Sequence, residues 1–305
     1  MSFKVFKLIF KQLTPICIGK RKCGLLNETL TYIPGKTMWG ALVKLYNLYK
    51  GESLGENQDL FKNITCFIPA LKISGSRDLR ILLPSFKKGD FYLGNLKEDE
   101  FRFLFVDSFI STAIIPEFRA AKEESLHELE FILPRPRGDV FKSMKNVENK
   151  YVLPSENIYW MGYIFAKKEE EEEFIKILKN NHLKLFIGSD IKYGYGLLTL
   201  EDFEEKNNLE SVYLSTLNDL EIVEINNIDG NMKKIKFNFL CPIIKNDNIK
   251  IAKGKLKLHH LINFYGKDKI YVKEPKWVFS VGTEILYKNV DENKKVKINK
   301  GTLEI

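Results

Sequence analysis

The opening dozen residues alternate so as to make a strand apolar on both sides. Phe3, Val5 and Ile9 fall on one side and Phe6, Leu8 and Phe10 on the other. A strand over 3–13, at the centre of a sheet covered on both faces, is the expectation. Thr14-Pro15 ends it, and Gly19-Lys20-Arg21-Lys22-Cys23-Gly24 reads as a loop. Pro34-Gly35 is turn chemistry, and Thr37 is placed to cap a helix running to about Lys50. Met38, Leu42, Leu45 and Tyr49 recur at helical spacing, as do Trp39, Val43 and Tyr46. So wide an apolar arc should lie on the sheet.

Beyond it, 64–84 is strand-like, 86–100 reads as a loop and 101–115 as a strand followed by a loop. Residues 119–125 form a short exposed segment and 126–133 a strand. Pro134-Arg135-Pro136-Arg137-Gly138 reads as a solvated loop exposing two arginines, ahead of the alternative of a flexible backbone clamp. A strand over 157–166 precedes a helix over 169–180, whose acidic start suits the helix dipole. Leu183 opens a strand into a glycine-rich turn. The acidic stretch 201–229 is a linker or a partner-facing surface. A hairpin over 222–244 turns at 227–231, and strands follow over 277–279 and 283–287. Strand–helix–strand thus occurs twice. The expected fold is α+β, with two ferredoxin-like (RNA-recognition-motif-like) modules over 1–205 and 206–305 and extra β-hairpins.

Composition narrows the partners. The 305 residues carry a formal charge of +8, which favours polyanions. Nine basic residues lie in the first fifty positions, against the single acid Glu28. No apolar run is long enough to span a bilayer, and the N-terminus lacks the apolar core of a signal peptide. Cys17, Cys23, Cys66 and Cys241 form no Cys-x-x-Cys pair, which disfavours structural zinc and predicts reduced, packed thiols. The expectation is a cytoplasmic protein with no metal and no cofactor.

The candidate chemistry centres on Phe186–Leu200. Gly188, Gly194 and Gly196 surround Lys192, Tyr193 and Tyr195 between two apolar strands. Taken alone, the stretch fits a hairpin turn filled by tyrosines. It equally fits a cradle in which free amides and a lysine meet phosphate while tyrosines stack on bases. The Lys20-Arg21-Lys22 run is a second anion site, or a solvated turn. Lys36 at a helix start is a third. Arg119 and Lys122 are weaker candidates. Gly35-Lys36-Thr37 is similar to the tail of a P-loop, but Leu30 stands where that motif needs glycine, so no nucleotide triphosphatase is implied.

One set of residues resembles a known family. A strand, Leu13-Thr14-Pro15, a basic glycine loop, the stretch Tyr32-Ile33-Pro34-Gly35-Lys36-Thr37-Met38-Trp39-Gly40-Ala41-Leu42 and a late Gly188…Gly194-x-Gly196 loop resemble the RAMP superfamily of CRISPR effector proteins. The resemblance implies ferredoxin-like modules that grip CRISPR RNA through backbone contacts. Type III backbone subunits that cut target RNA carry an aspartate between the first strand and the Ile-Pro-Gly element; this chain has none from Gly19 to Ile33. Phe279-Ser280-Val281-Gly282-Thr283 resembles the glycine-containing strand of type III cap subunits. Those hold the 5′ handle of the guide and dock a large polymerase-like subunit beside the backbone RAMP subunits.

Three functions follow as expectations. The first is a non-catalytic RNA-binding cap subunit using the residues just named. The second is a metal-independent repeat-processing endoribonuclease, or a backbone-repeat subunit; the nuclease would need His127, His182 or the His259-His260 pair for acid–base work. The third is a protein adaptor that uses the acidic 201–229 stretch.

Overall fold

The computed structural model describes residues 3–53, 55–72, 79–137, 157–167, 176–178, 183–206, 232–235, 241–245, 249–259, 262–265, 269–272, 275–288 and 297–304. Strand β1 (Phe3–Gln12) is followed by β2 (Gly19–Cys23) and β3 (Leu26–Thr29), which pair antiparallel. The predicted basic loop is therefore one arm of a hairpin. Its ladder sets Arg21 opposite Glu28 and Lys22 opposite Asn27, so opposite charges across the strands favour pairing where composition alone indicated a loop.

Helix α1 (Gly35–Lys50) begins at Pro34, not at a Thr37 cap, and no side chain caps it. Proline supplies the fixed φ that opens a helix, and Thr37 already lies in the first turn. Gly51 ends it in the left-handed region. Met38, Trp39, Leu42, Val43 and Tyr46 are buried as their spacing predicts, whereas Tyr49 is exposed.

Next come β4 (Ile68–Lys72), β5 (Leu79–Ile81), β6 (Pro84–Lys87), β7 (Asp90–Leu93), β8 (Leu96–Lys97) and helix α2 (Glu98–Phe105). Two expectations are corrected here. The 86–100 loop is a β6-β7-β8 meander leading into a helix, and the 101–115 strand begins as that helix. Three acids in the first turn suit the helix dipole, and Glu100 accepts from the Lys97 amide at 2.8 Å. Phe101, Leu104 and Phe105 are buried beneath it.

Strand β9 (Val106–Ser111), the small hairpin β10 (Ile114–Ile115) and β11 (Ala120–Ala121), and β12 (His127–Ile132) follow. Then come β13 (Tyr159–Lys167), β14 (Lys184–Phe186) and β15 (Leu197–Lys206). The expected 169–180 helix is described only at 176–178, which is helical.

The main sheet runs β14-β15-β1-β13-β4-β5, with every neighbouring pair antiparallel. Within it, β15-β1-β13-β4 take the places of the fourth, first, third and second strands of a ferredoxin-like module. Phe6, Leu8 and Phe10 share the core with α1. On the other face Ile9, Ile68, Tyr159 and Met161 pack with Val281, so a distant segment covers part of the sheet. A second sheet, β2-β3-β12-β9, stands beside it. Gln12 ties the two together: its Nε2 donates to the Ile132 carbonyl at 2.8 Å, and its Oε1 accepts from Trp160 Nε1 at 3.0 Å. Both partners are buried, so breaking either bond would leave a desolvated polar group, costing about 1–3 kcal/mol.

The remaining strands are β16 (Met232–Ile235), β17 (Ile243–Ile244), β18 (Ile249–Lys253), β19 (Leu256–His259), β20 (Ile262–Tyr265), β21 (Lys269–Val272), β22 (Lys276–Phe279), β23 (Glu284–Lys288), β24 (Lys297–Asn299) and β25 (Thr302–Glu304). They form the sheets β16-β23-β18, β19-β22-β17-β25-β24 and β20-β21. The turn of the expected 222–244 hairpin and most of the acidic 201–229 stretch lie outside the described residues. The strand after that turn, β16, pairs with β23.

Candidate nucleic-acid interface

The glycine-rich turn packs against the end of β1 and the approach to β2. The Ser189 amide donates to the Cys17 carbonyl at 3.0 Å, and the Gly196 amide to the Pro15 carbonyl at 2.7 Å. The glycine-rich turn is therefore adjacent to the segment that leads into β2. Two of the three glycines serve this packing directly. A Cβ on Gly188 would lie 2.1 Å from the Cys17 oxygen, and one on Gly196 would lie 1.9 Å from the Ile187 oxygen. Gly194 faces open space. Close approach at Gly188 and Gly196 is thus to the chain's own backbone. Lys192 and Tyr193 are exposed on the turn, and Tyr195 packs against Phe131 with ring centroids 5.5 Å apart.

The basic run divides between the two faces of the second sheet. Lys20 lies 3.6 Å from Glu28 and 3.4 Å from Glu98, and Arg21 lies 2.8 Å from Glu28. The hydrogen bond to Arg21 holds the Glu28 carboxyl below its usual pKa, with the Lys20 charge adding to it. Arg102 extends the network to Glu130 at 2.9 Å. These charges sit on the side covered by α2. Lys22 has the opposite orientation, sharing its face with Asn27, Leu129 and Phe109 through three successive strand pairs. Neither Lys22 nor Lys192 has an ion-pair partner among the described residues.

A second cationic group lies at the start of α1. Lys257 donates to the Tyr32 hydroxyl at 2.8 Å, with its ammonium 5.5 Å from the ring centroid. Burial lowers the Lys257 pKa, and Lys36 and Lys20 lower it further. Burial also lowers the pKa of Lys36. Lys257 therefore lies within electrostatic reach of both Lys36 and Lys20, and Lys257 and Lys36 are held where an anion would favour their charged form. The first turn of α1 is partly closed: the Gly35 amide donates to Cys66 Sγ, and burial pushes the Cys66 thiol up to about 11. Lys257 was missed in the sequence: it stands 225 positions from Tyr32 and belongs to no local motif, and Tyr32 stands out only as the start of the Ile-Pro-Gly stretch.

Arg119 and Lys122 lie on the exposed β10–β11 excursion, which joins neither cationic group. Arg135 and Arg137, expected on a solvated loop, are engaged: Arg135 donates to Asn157 at 3.2 Å, and Arg137 pairs with Asp107 at 2.8 Å. On the open part of the main sheet, a groove of about 540 Å³ is lined by Lys7, Ile9, Lys72, Tyr159, Glu201 and Asp202. Its mixed charge suits a polyanion less well than the Lys22 face does. Among the described residues there is no cluster able to hold a metal ion and no helix long and apolar enough to cross a membrane.

The geometry defines an α+β protein with an exposed lysine and two tyrosines on a glycine-rich turn, and a separate cationic group at the start of its first helix. The chain belongs to the RAMP superfamily, whose model matches residues 9–199. No curated protein matches it. Its fold is shared with a chain in the cryo-EM structure of the Type III-B Cmr-beta bound to cognate target RNA and AMPPnP, state 1. The identity is 14%, the TM-score is 0.54, and the match covers 92% of this chain and 86% of that one. A chain of the same assembly bound to cognate target RNA matches at 14% identity and TM-score 0.49, with the same coverage. Oligomeric Cmr4 from Pyrococcus furiosus matches at 14% identity and TM-score 0.30, covering 68% of this chain and all of that one.

Proposed function

We propose that this chain is a non-catalytic CRISPR RNA-binding subunit of a type III effector complex in antiviral defence. It occupies the cap position, grips the 5′ handle of the guide, and docks backbone RAMP subunits and a large polymerase-like subunit in the cytoplasm. The observation that carries the reading is two lysines, neither ion-paired among the described residues: Lys22 on the second sheet and Lys192 on the glycine-rich turn that packs against that sheet through Tyr195 and Phe131. A ribose-phosphate strand is bound by charge neutralisation and stacking, so such a site needs no titrating pair. Family membership over 9–199 supports the same reading. The strands beyond 206 would be a second ferredoxin-like module.

The test is binding of a guide RNA carrying its 5′ handle across a salt series. Logarithmic affinity should fall linearly with log salt, by about 0.7 per phosphate neutralised on a single strand. Affinity independent of salt, or no affinity, refutes the reading.

Endoribonuclease action has one observation in its favour. His127 Nε2 lies 2.9 Å from Ser111 Oγ, while Nδ1 lies 3.0 Å from the Ser125 carbonyl oxygen. A carbonyl oxygen only accepts, so the proton sits on Nδ1, and the unprotonated Nε2 accepts from the Ser111 hydroxyl, the arrangement of a base beside a hydroxyl. Incubation with repeat RNA in EDTA decides it: discrete cuts that vanish in His127→Ala establish the nuclease.

A further inference from the structure

The second sheet segregates its charge. Register places Glu28, Glu128 and Glu130 on the face bearing α2. On the opposite face the one carboxylate of these four strands is Asp107, and Arg137 neutralises it at 2.8 Å. Besides Lys22, that face carries Phe109 opposite Leu129, Phe131 two residues along the same strand, and Asn27 beside them. Phe109 is 59% exposed, while Leu129 and Phe131 are half-buried. Tyr195 reaches in from the glycine-rich turn and tilts 54° against Phe131. Lys22 stands at one margin, and Lys192 lies on the turn that carries Tyr195.

We infer that this face is a stacking ledge for unpaired RNA bases, built from Phe109, Phe131 and Tyr195, with Lys22 and Lys192 holding the phosphates that flank the stacked nucleotides. This rests on the RNA-binding reading above and adds the form of RNA taken. A duplex keeps its base faces covered, whereas a single strand can turn them onto aromatic rings. The occupant is nucleic acid because lysines with no ion-pair partner among the described residues border one exposed and two half-buried rings, and all three glutamates of the sheet are on the other side.

The test uses the full chain, a single-stranded 12-mer RNA containing 2-aminopurine, and an abasic ribose-phosphate 12-mer. Wild type should quench 2-aminopurine fluorescence on binding. Phe109→Ala and Tyr195→Ala should each weaken binding of the base-bearing strand about five- to a hundredfold and leave the abasic strand unaffected. Tyr195→Phe keeps the ring and should bind as wild type does. Phe109 lies outside the core, so its loss does not threaten the fold. Equal losses for both strands, or none, overturn the ledge and leave RNA binding standing. Failure of wild type to bind either strand overturns both readings. Variants that keep RNA affinity but no longer assemble with another protein subunit make the face a protein surface and overturn the inference.

Discussion

Gly35 and Gly301 meet backbone to backbone: a Cβ on Gly35 would lie 2.3 Å from the Gly301 Cα, and one on Gly301 would lie 2.5 Å from the Gly35 Cα. The first residue of α1 is thereby seated against the turn between β24 and β25. Nearby, Lys300 lies 3.7 Å from the centroid of the Trp39 ring, and Cys66 Sγ lies 3.8 Å from the Gly301 carbonyl oxygen. The C-terminal strands thus buttress the start of the helix that carries Lys36.

Neither glycine tolerates a methyl group, because the atoms it would meet are backbone. Gly35→Ala should destabilise the protein by about 1–3 kcal/mol through overpacking. Gly301→Ala should cost more, since its φ of +76° also disfavours a side chain. Denaturant midpoints measured at constant m-value test this. A Gly301→Ala protein as stable as wild type would disprove the close seating.

The glycine-rich turn makes a graded prediction. Gly194→Ala meets only backbone strain, about 1–2 kcal/mol at its φ of +86°. Gly196→Ala meets similar strain and also the Ile187 carbonyl, adding roughly another 1–3 kcal/mol. Thermal melts should rank wild type above Gly194→Ala, and Gly194→Ala above Gly196→Ala. If the turn instead opens so that Gly196 is free, the two variants will melt together.

That difference marks the limit of what the sequence makes legible. β1 and α1 are readable because two-sided burial and helical stripes are local patterns. Helix α2 is not, because Phe101-Arg102-Phe103-Leu104-Phe105 alternates like a strand and only the acidic start at 98–100 signals a helix. The glycines of the late turn are visible as a cluster. Whether each admits a ligand or the chain's own carbonyl depends on Cys17 and Ile187, and no spacing reports which. Lys20-Arg21-Lys22 is visible as charge, but its division into two paired residues and one unpaired residue follows from the register with β3. The Tyr32–Lys257 contact is formed by tertiary folding alone.

The division of the basic run has a consequence for RNA affinity. Lys22→Glu and Lys192→Glu should each weaken guide RNA binding and lower the salt slope by about 0.7. Lys20→Glu should weaken binding less, because Glu28 and Glu98 already hold that ammonium. Filter binding at several salt concentrations separates these cases. Equal losses at Lys20 and Lys22 would mean that the Glu28 network opens to the RNA.

Cysteine reactivity follows from burial. Cys17, Cys66 and Cys241 are buried, and desolvation raises all three pKa values, that of Cys66 to about 11. Cys23 is exposed at the end of β2. Thiolate is the reactive form, so iodoacetamide at pH 8 should label Cys23 in the native protein and all four cysteines after denaturation. Peptide mass spectrometry reads the sites. Rapid native labelling of Cys66 would show that the seat between Gly35 and Gly301 opens in solution.

On the RNA-binding reading, Lys36 and Lys257 should give binding a pH dependence of definite sign. Burial lowers both pKa values, and a phosphate brought near would raise them again by favouring the charged form. Between the free and bound values, binding takes up a proton, so affinity should fall as pH rises, beginning below the ordinary lysine value of about 10.4. In the free protein the linkage has the opposite sense. A lysine whose folded pKa lies below its unfolded one destabilises the fold at neutral pH, and that cost is relieved as pH rises through the folded value. Replacing both partners, Tyr32→Phe with Lys257→Met, removes a buried charge without orphaning the hydroxyl. The double variant should therefore melt at or above the wild-type temperature at pH 7, yet bind guide RNA more weakly. It should also lose part of the alkaline decline in affinity. Melting curves and binding isotherms from pH 7 to 10 on the same samples check both halves. A double variant that is less stable but binds RNA as wild type does would place Lys257 in the scaffold and remove it from the interface.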